Sequence, residues 1–438
     1  MKRRVFLATT AILMAGAALP FSAARAADTV TWWYESASPE QQRAVANGII
    51  NPFNESQSDY DLTIDYRGSE LDKQMRVALL SGSGPDIVYT AGPAYVAPMA
   101  AAGQLMPLDD YAVEYGWNER ILPVFLEMGK YDGKLYALPK TYETLGLFFN
   151  KTLFEEHGWQ VPASIPELET VADAMLEENI VPFASGNANW RPANEHYVSL
   201  VLNSIAGPEN VYKALKGDLP WTAEPFVEAI TKLNEWWRKG YFGPNYFSLS
   251  DEQAFSQMAA GQAGMMPTGT WQFQRVSTYF PQYDAEPGFV GFPSADDIGE
   301  PVFALGVGST FSIAAKAENP EGAAAAIDYI FSDDAYAKMN EYWQGEWNTP
   351  IADLSGVTVE NVPELYSDTM KTLADAVAHN QYGYTTWTFL PPATDAFLVN
   401  GIEEVWLDRR TVDSFLEELN KSFQSELEQG KVPAIPAR

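Results

Sequence analysis

Four stretches place a tryptophan among glycine, proline and asparagine rather than on a helical face: Asn187-Ala188-Asn189-Trp190-Arg191-Pro192, Gly269-Thr270-Trp271, Gly345-Glu346-Trp347-Asn348-Thr349-Pro350 and Tyr384-Thr385-Thr386-Trp387. A ring so placed can lie on the C–H face of a pyranose while nearby carboxylates and amides exchange hydrogen bonds with its hydroxyls. Covering roughly 100 Å² of apolar area in this way contributes about 2.5 kcal/mol. Two or three such rings would supply most of a micromolar affinity, about −8.2 kcal/mol. The competing reading at each position is packing, because tryptophan is highly buried on average. Trp236 and Trp237, inside a helical stretch over residues 222–239, are read as packing. Two carboxylates fit the same chemistry. Glu143 stands isolated between two extended runs, where burial is costly without hydrogen-bonding partners, so it is expected to line a polar cleft. Glu35 lies in the polar-aromatic cluster Trp32-Trp33-Tyr34-Glu35-Ser36. Arg191, beside Trp190, would suit an acidic or sulfated sugar, although an ion pair with one of the 58 acidic residues is the plainer expectation.

Other chemistries find less support. Paired carboxylates also cleave glycosidic bonds, but no pair stands at matched spacing. His157, His196 and His379 are far apart on expected helices, which favours surface or packing roles over metal ligation. No H-E-x-x-H, G-x-S-x-G, P-loop or complete G-x-G-x-x-G occurs. The acidic run Ser294-Ala295-Asp296-Asp297-Ile298-Gly299-Glu300 lacks EF-hand spacing and reads as a solvated loop, with calcium left open. Neither a cofactor nor a metal is expected. The chain has no cysteine, which removes disulfides, thiolate metal sites and a lipidated N-terminus.

Residues 1–26 combine a basic start (Lys2, Arg3, Arg4), an apolar run over residues 5–19 and Ala24-Arg25-Ala26 before Ala27, the pattern of a cleavable export signal. Arg3-Arg4-Val5-Phe6-Leu7 also resembles a twin-arginine signal, so both export routes stay open. With no cysteine to carry an anchor, the expected location is a periplasm. The formal charge is −30, and loss of Lys2, Arg3, Arg4 and Arg25 with the leader makes it −34. Such an excess opposes binding to nucleic acid and to anionic membranes. No later apolar stretch approaches a membrane span, so direct insertion is not expected.

About 410 residues then remain, enough for two substantial domains. A strand over residues 30–34, a helix capped by Ser38-Pro39-Glu40-Gln41, a strand with alternating Tyr60, Leu62, Ile64 and Tyr66, a helix carrying Leu71, Met75 and Leu79, and a strand at Asp86-Ile87-Val88-Tyr89 set an α/β rhythm. Thr90, Ala91 and Gly92 end that third strand, where open α/β sheets bind ligands. Tyr131-Asp132-Gly133-Lys134 reads as a tight turn, residues 135–138 as an extended run and residues 144–150 as a further strand. Helices are expected over residues 165–178, after the capping residues Ser250 and Asn319, and from Thr411 onward with Val412, Phe415, Leu419 and Phe423 on one face.

The segment Gly133-Lys134-Leu135-Tyr136-Ala137-Leu138-Pro139, the strand ending in Asn150-Lys151, Gly84-Pro85-Asp86-Ile87-Val88 and the run from Gly261 through Met265 and Gly269 to Trp271 together resemble the family 1 extracellular solute-binding proteins of ABC sugar importers, the maltodextrin-binding group. Gly306-Val307-Gly308 followed by a strand and helix resembles that family's return crossing. The resemblance implies an α/β, two-lobed periplasmic-binding-protein fold of type II, with discontinuous lobes joined by a hinge crossed two or three times. Lobe 1 would comprise residues 27–142 and 306–350, and lobe 2 residues 143–305 and 351–438. It also implies that Trp271 reaches a sugar and that the end of the first strand faces the cleft. The expected ligand-binding set is Tyr34, Glu35, Ser36, Thr90, Gly92, Glu143, Trp190, Arg191, Trp271, Gly306, Trp347 and Trp387. The expected function is capture of a mono- or oligosaccharide for a membrane permease, by a monomer that performs no catalysis. A non-sugar solute such as a polyamine, and an exported glycan-cleaving enzyme, are the alternatives.

Overall fold

The computed structural model describes residues 27–437 apart from 36, 69–70, 189–192 and 297. The expected leader and three expected site residues, Ser36, Trp190 and Arg191, therefore lie outside the described residues.

In chain order the strands are β1 (Asp28–Tyr34), β2 (Tyr60–Tyr66), β3 (Ile87–Thr90), β4 (Lys130–Tyr131), β5 (Lys134–Leu135), β6 (Leu138–Pro139), β7 (Tyr142–Asn150), β8 (Val181–Phe183), β9 (Ala263–Gly269), β10 (Pro287–Val290), β11 (Ala304–Val307), β12 (Thr310–Ile313) and β13 (Gly383–Tyr384). One sheet has the order β2-β1-β3-β12-β6, and a second has β13-β11-β7-β9-β8 with β10 also on β7. In the first sheet β1 runs parallel to β2 and β3, as its helical connections require, while β12 returns antiparallel to β3. Every residue of β7 and of β9 is buried, which explains why β7 reads as an apolar run rather than an alternation. The small ribbon β4–β5 closes on Asp132 and Gly133, both with positive φ, the geometry its two-residue turn demands.

Local signals set the helix starts. Ser38 and Ser250 each form a full capping box, with their own side chains accepting from Gln41 and Gln253 and those glutamines reaching back. The first helix continues through a π-helical segment, Ala46–Ile50, into Asn51–Ser56, which keeps Val45, Ile49 and Phe53 buried together. Asn319 does not cap Pro320–Ile330 with its side chain. Its backbone N–H instead donates to Asp86 Oδ1 at 2.9 Å, and its amide donates to the Thr29 carbonyl. Asp86 Oδ2 also accepts from the Thr31 backbone N–H and hydroxyl, at 2.8 and 2.7 Å. The carboxylate of the Gly84-Pro85-Asp86 motif thus ties β1, the start of β3 and a late helix together.

The chain passes between the sheets at residues 140–141 and 308–309, where the Lys140 N–H donates to the Ser309 carbonyl at 2.8 Å. Residues 343–350 form a third passage beside them, with the Tyr142 N–H donating to the Asn348 carbonyl at 2.9 Å. β7 begins two residues earlier than the expected strand. Glu143 is accordingly inside it, opposite Gly306 of β11, rather than isolated between two runs. β11 carries Gly306 and Val307 in the second sheet, whereas the sequence reading divides the chain between 305 and 306.

Candidate functional site

The residues that face one another between the sheets come from nine separate places in the chain. Glu35 follows β1, Tyr89 lies in β3, Glu143 in β7, and Gly308 on the second passage. Trp271 follows β9, Glu346 sits on the third passage, and Glu195 with His196 stands on the helix Ala193–Val201. Trp387 and Asp395 come from the helices Thr386–Phe389 and Pro392–Trp406. Together with Asp72 and Tyr95 they enclose a cleft of about 480 Å³, a size suited to a small solute.

Carboxylates dominate this cleft. Glu143 is 4% exposed, and burial pushes its carboxyl well above the ordinary range; Glu346 and Glu35 push the same way, while Lys140 and a hydrogen bond from the Trp387 indole oppose them. Burial raises Glu35 to about 7, helped by Glu346 and opposed by Lys140 and by the Tyr89 hydroxyl, which donates to Glu35 Oε1 at 2.8 Å. Burial also raises Glu195 well above its usual value, with Asp395 and then Glu143 pushing the same way, and lifts Asp395 to about 6. His196 is pressed down to about 3 by burial and is neutral at any ordinary pH.

Lys140 is the cation behind this group. Its side chain is wholly buried and donates to Glu346 Oε1 at 2.7 Å and to the Tyr34 hydroxyl at 3.2 Å. The ammonium lies 4.5 Å from the centroid of the Trp347 ring, and Tyr34 and Trp347 stack at 6.1 Å with an interplanar angle of 22°. Lys140 is thus held in an aromatic cage with its charge directed at the cleft acids.

Among the described residues, two tryptophans form the aromatic wall. Trp271 and Trp387 meet edge to face, 6.0 Å apart at 81°, and the His196 ring touches both at 5.0 and 5.4 Å. Glycine makes room for each. A Cβ at Gly269 would collide with the Trp271 ring, and one at Gly306 would lie 2.8 Å from the Trp387 ring.

Residues 30–337 match the family model described as bacterial extracellular solute-binding protein. The chain belongs to that family. Two curated relatives are an uncharacterized ABC transporter extracellular-binding protein of Pyrococcus horikoshii, 23% identical over 70% of this chain and 68% of its own length, and the alpha-glucosides-binding periplasmic protein AglE of Rhizobium meliloti, 24% identical over 68% of each. Among solved structures, a chitin oligosaccharide binding protein superposes with a TM-score of 0.78 at 19% identity, covering 91% of this chain and 98% of that one. That likeness establishes the fold, the two-lobed arrangement of the solute-binding proteins with a sheet in each lobe.

In this solute-binding protein, Glu35, Glu143, Trp271 and Trp387 line the cleft together. Tyr34 and Trp347 do not; they are buried in the Lys140 cage, Trp347 also meeting Trp32 and Phe311. Thr90 is buried and shares a 2.6 Å hydrogen bond with Thr310, fastening β3 to β12, and Gly92 lies against the backbone carbonyls of Val307 and Trp387. Gly306 supports the Trp387 ring. Sequence reasoning missed Glu195, Asp395, Tyr89, Tyr95, Asp72, Glu346 and Lys140. Glu346 lay within a stretch singled out for its tryptophan, and Lys140 followed the Pro139 that ends the crossing motif, so a signal was present for both. His196, read as surface or packing, belongs to the cleft. Glu195 and Asp395 are 200 residues apart on two helices, and no local pattern links them.

Proposed function

We propose that this chain is exported to a periplasm, captures a carbohydrate between its two lobes and delivers it to the membrane permease of an ABC importer without transforming it. The observation that carries the reading is the cleft itself, where the rings of Trp271 and Trp387 and the carboxylates of Glu35 and Glu143 line one volume suited to one or two sugar rings. AglE, named for alpha-glucosides, and the chitin oligosaccharide binding protein support the substrate class. Ligand held against one lobe draws the other over it through the three passages, and it does so only to the extent that it binds the closed form more tightly. A monomer suits that motion. In this reading Glu35 and Glu143 accept from sugar hydroxyls and the two rings cover the apolar face. Trp190, Arg191 and Ser36 keep their place in it on sequence grounds.

The test is thermal melting of the ligand-stripped, refolded protein across neutral sugars, amino sugars, sugar acids and polyamines. A site filled at about 100 times its dissociation constant gains about 2.7 kcal/mol, a readily measured rise. A rise confined to related sugars, with the sugars recovered intact, is the expected result. A rise with polyamines alone, or release of cleavage products, would overturn the reading.

Gly308 offers a second test. A Cβ there would stand 2.7 Å from both carboxylate oxygens of Glu143. Gly308→Ala is therefore expected to displace that carboxylate and weaken sugar binding about tenfold, roughly 1.4 kcal/mol, with little change in thermal midpoint. Unchanged affinity would remove the Glu143 carboxylate from the binding contacts.

A further inference from the structure

Resting on the carbohydrate reading above, we infer that the sugar taken by this cleft carries a basic amine, whose ammonium is held by the paired carboxyls of Glu195 and Asp395 beside Glu143. Three observations lead there.

The first is the charge of the cleft. Glu35, Asp72, Glu143, Glu195, Glu346 and Asp395 all line it, and the described cations beside them are already engaged. Lys140 bonds to Glu346, Arg76 acts on Asp72, and His196 is neutral. The second is the state of two acids. Glu195 and Asp395 are 5% and 9% exposed, and no N–H or O–H donor among the described residues reaches Glu195 Oε2 or Asp395 Oδ1. The two carboxyls face each other, each altering the other's hold on a proton. Burying a carboxylate without a partner costs several kcal/mol, so such groups are normally paired. The third is what the cluster is not. No group of three or more acidic or histidine side chains among the described residues is placed to hold a metal ion.

A sugar hydroxyl donates one hydrogen bond and leaves the charge of these acids where it was. An ammonium brings three donors and the missing positive charge. The neighbouring rings of Trp271, Trp387 and Tyr95 add faces that favour a cation once water is expelled.

Proton linkage separates the two cases. Glu143 faces Glu35, Glu346 and Lys140; Glu195 faces Asp395 and Glu143; Asp395 faces Glu195 and Glu426. In the empty cleft these acids hold protons at pH values where exposed carboxyls have lost theirs. An ammonium requires them ionised, so its binding releases protons and weakens as pH falls from neutrality toward 5. A neutral sugar releases none.

The experiment is calorimetric titration of the ligand-stripped full chain at pH 7 in phosphate and in MOPS, whose ionisation enthalpies differ. The probes are glucosamine, its β-1,4-linked disaccharide, their N-acetylated forms, glucose, cellobiose, maltose and spermidine. The expected result is an amine-bearing sugar bound at least about tenfold more tightly than its N-acetylated and hydroxyl counterparts, roughly 1.4 kcal/mol, with proton release. Glu195→Gln and, as a second variant, Asp395→Asn should remove most of that preference and the proton release together. Equal or tighter binding of a neutral sugar would overturn this inference and leave the carbohydrate reading standing. Binding of spermidine alone would overturn both. Silence of every amine-bearing sugar would also overturn it.

Discussion

Trp271→Ala is expected to weaken sugar binding by more than about tenfold while the ligand-free protein keeps its fold. The ring stands just past the end of β9 and is partly exposed to the cleft, and it leans on His196 and Trp387. Its exposed face is apolar area that a sugar ring would cover. Losing roughly 100 Å² of that contact removes about 2.5 kcal/mol, equivalent to between tenfold and a hundredfold in affinity. The fold loses less, because the ring is already wet on one side and Gly269 beneath it needs no support. Titration calorimetry with the best sugar from the melting panel measures the first effect, and the ligand-free thermal midpoint the second. An affinity equal to that of the native chain would take Trp271 out of the binding contacts.

Lys140→Met should act in the opposite sense, on stability before binding. Methionine fills the aromatic cage left by the lysine stem, so the change removes charge with little loss of volume. Glu346 then loses its 2.7 Å partner, and Glu35 and Glu143, whose carboxyls Lys140 holds down, face one another without a countercharge. Removing one member of a buried pair costs about 3–5 kcal/mol. For a lobe of this size that corresponds to a fall of roughly 6–20 °C in thermal midpoint. Adding Glu346→Gln to the Lys140→Met chain should restore part of the loss. A single-variant midpoint within about 2 °C of the native chain would show that the cage, not the charge, holds this passage together.

Local features were legible in the sequence because their causes are local. The capping boxes at Ser38 and Ser250 join residues three apart. The β4–β5 turn needs only Asp132 and Gly133. The buried strand β7 announces itself as an apolar run, and the crossing segments carry motifs that resemble the family's. Glu143 was identified for a sound reason, the cost of burying an unpartnered carboxylate, although the strand it occupies begins earlier than its apolar residues do.

The aromatics show where such reasoning stops. Trp271, Trp347 and Trp387 have similar neighbours in sequence, rich in glycine, threonine and asparagine. Trp347 is nevertheless 1% exposed, while Trp271 and Trp387 line the cleft. The difference arises because the third passage lies on the first sheet, over Trp32, Tyr34 and Phe311, a contact between residues some 35 to 315 positions apart in the chain. The acidic pocket has the same origin: Glu143 on a strand and Glu195 and Asp395 on two helices are brought together by the packing of the second lobe, and their altered proton affinities follow from that burial. Local patterns along the chain therefore encode the helix starts, several of the strands and the kind of chemistry on offer. Tertiary packing decided which rings stayed dry, where Lys140 placed its charge and which carboxylates met, because burial and electrostatic coupling depend on distances in space that spacing along a chain does not encode.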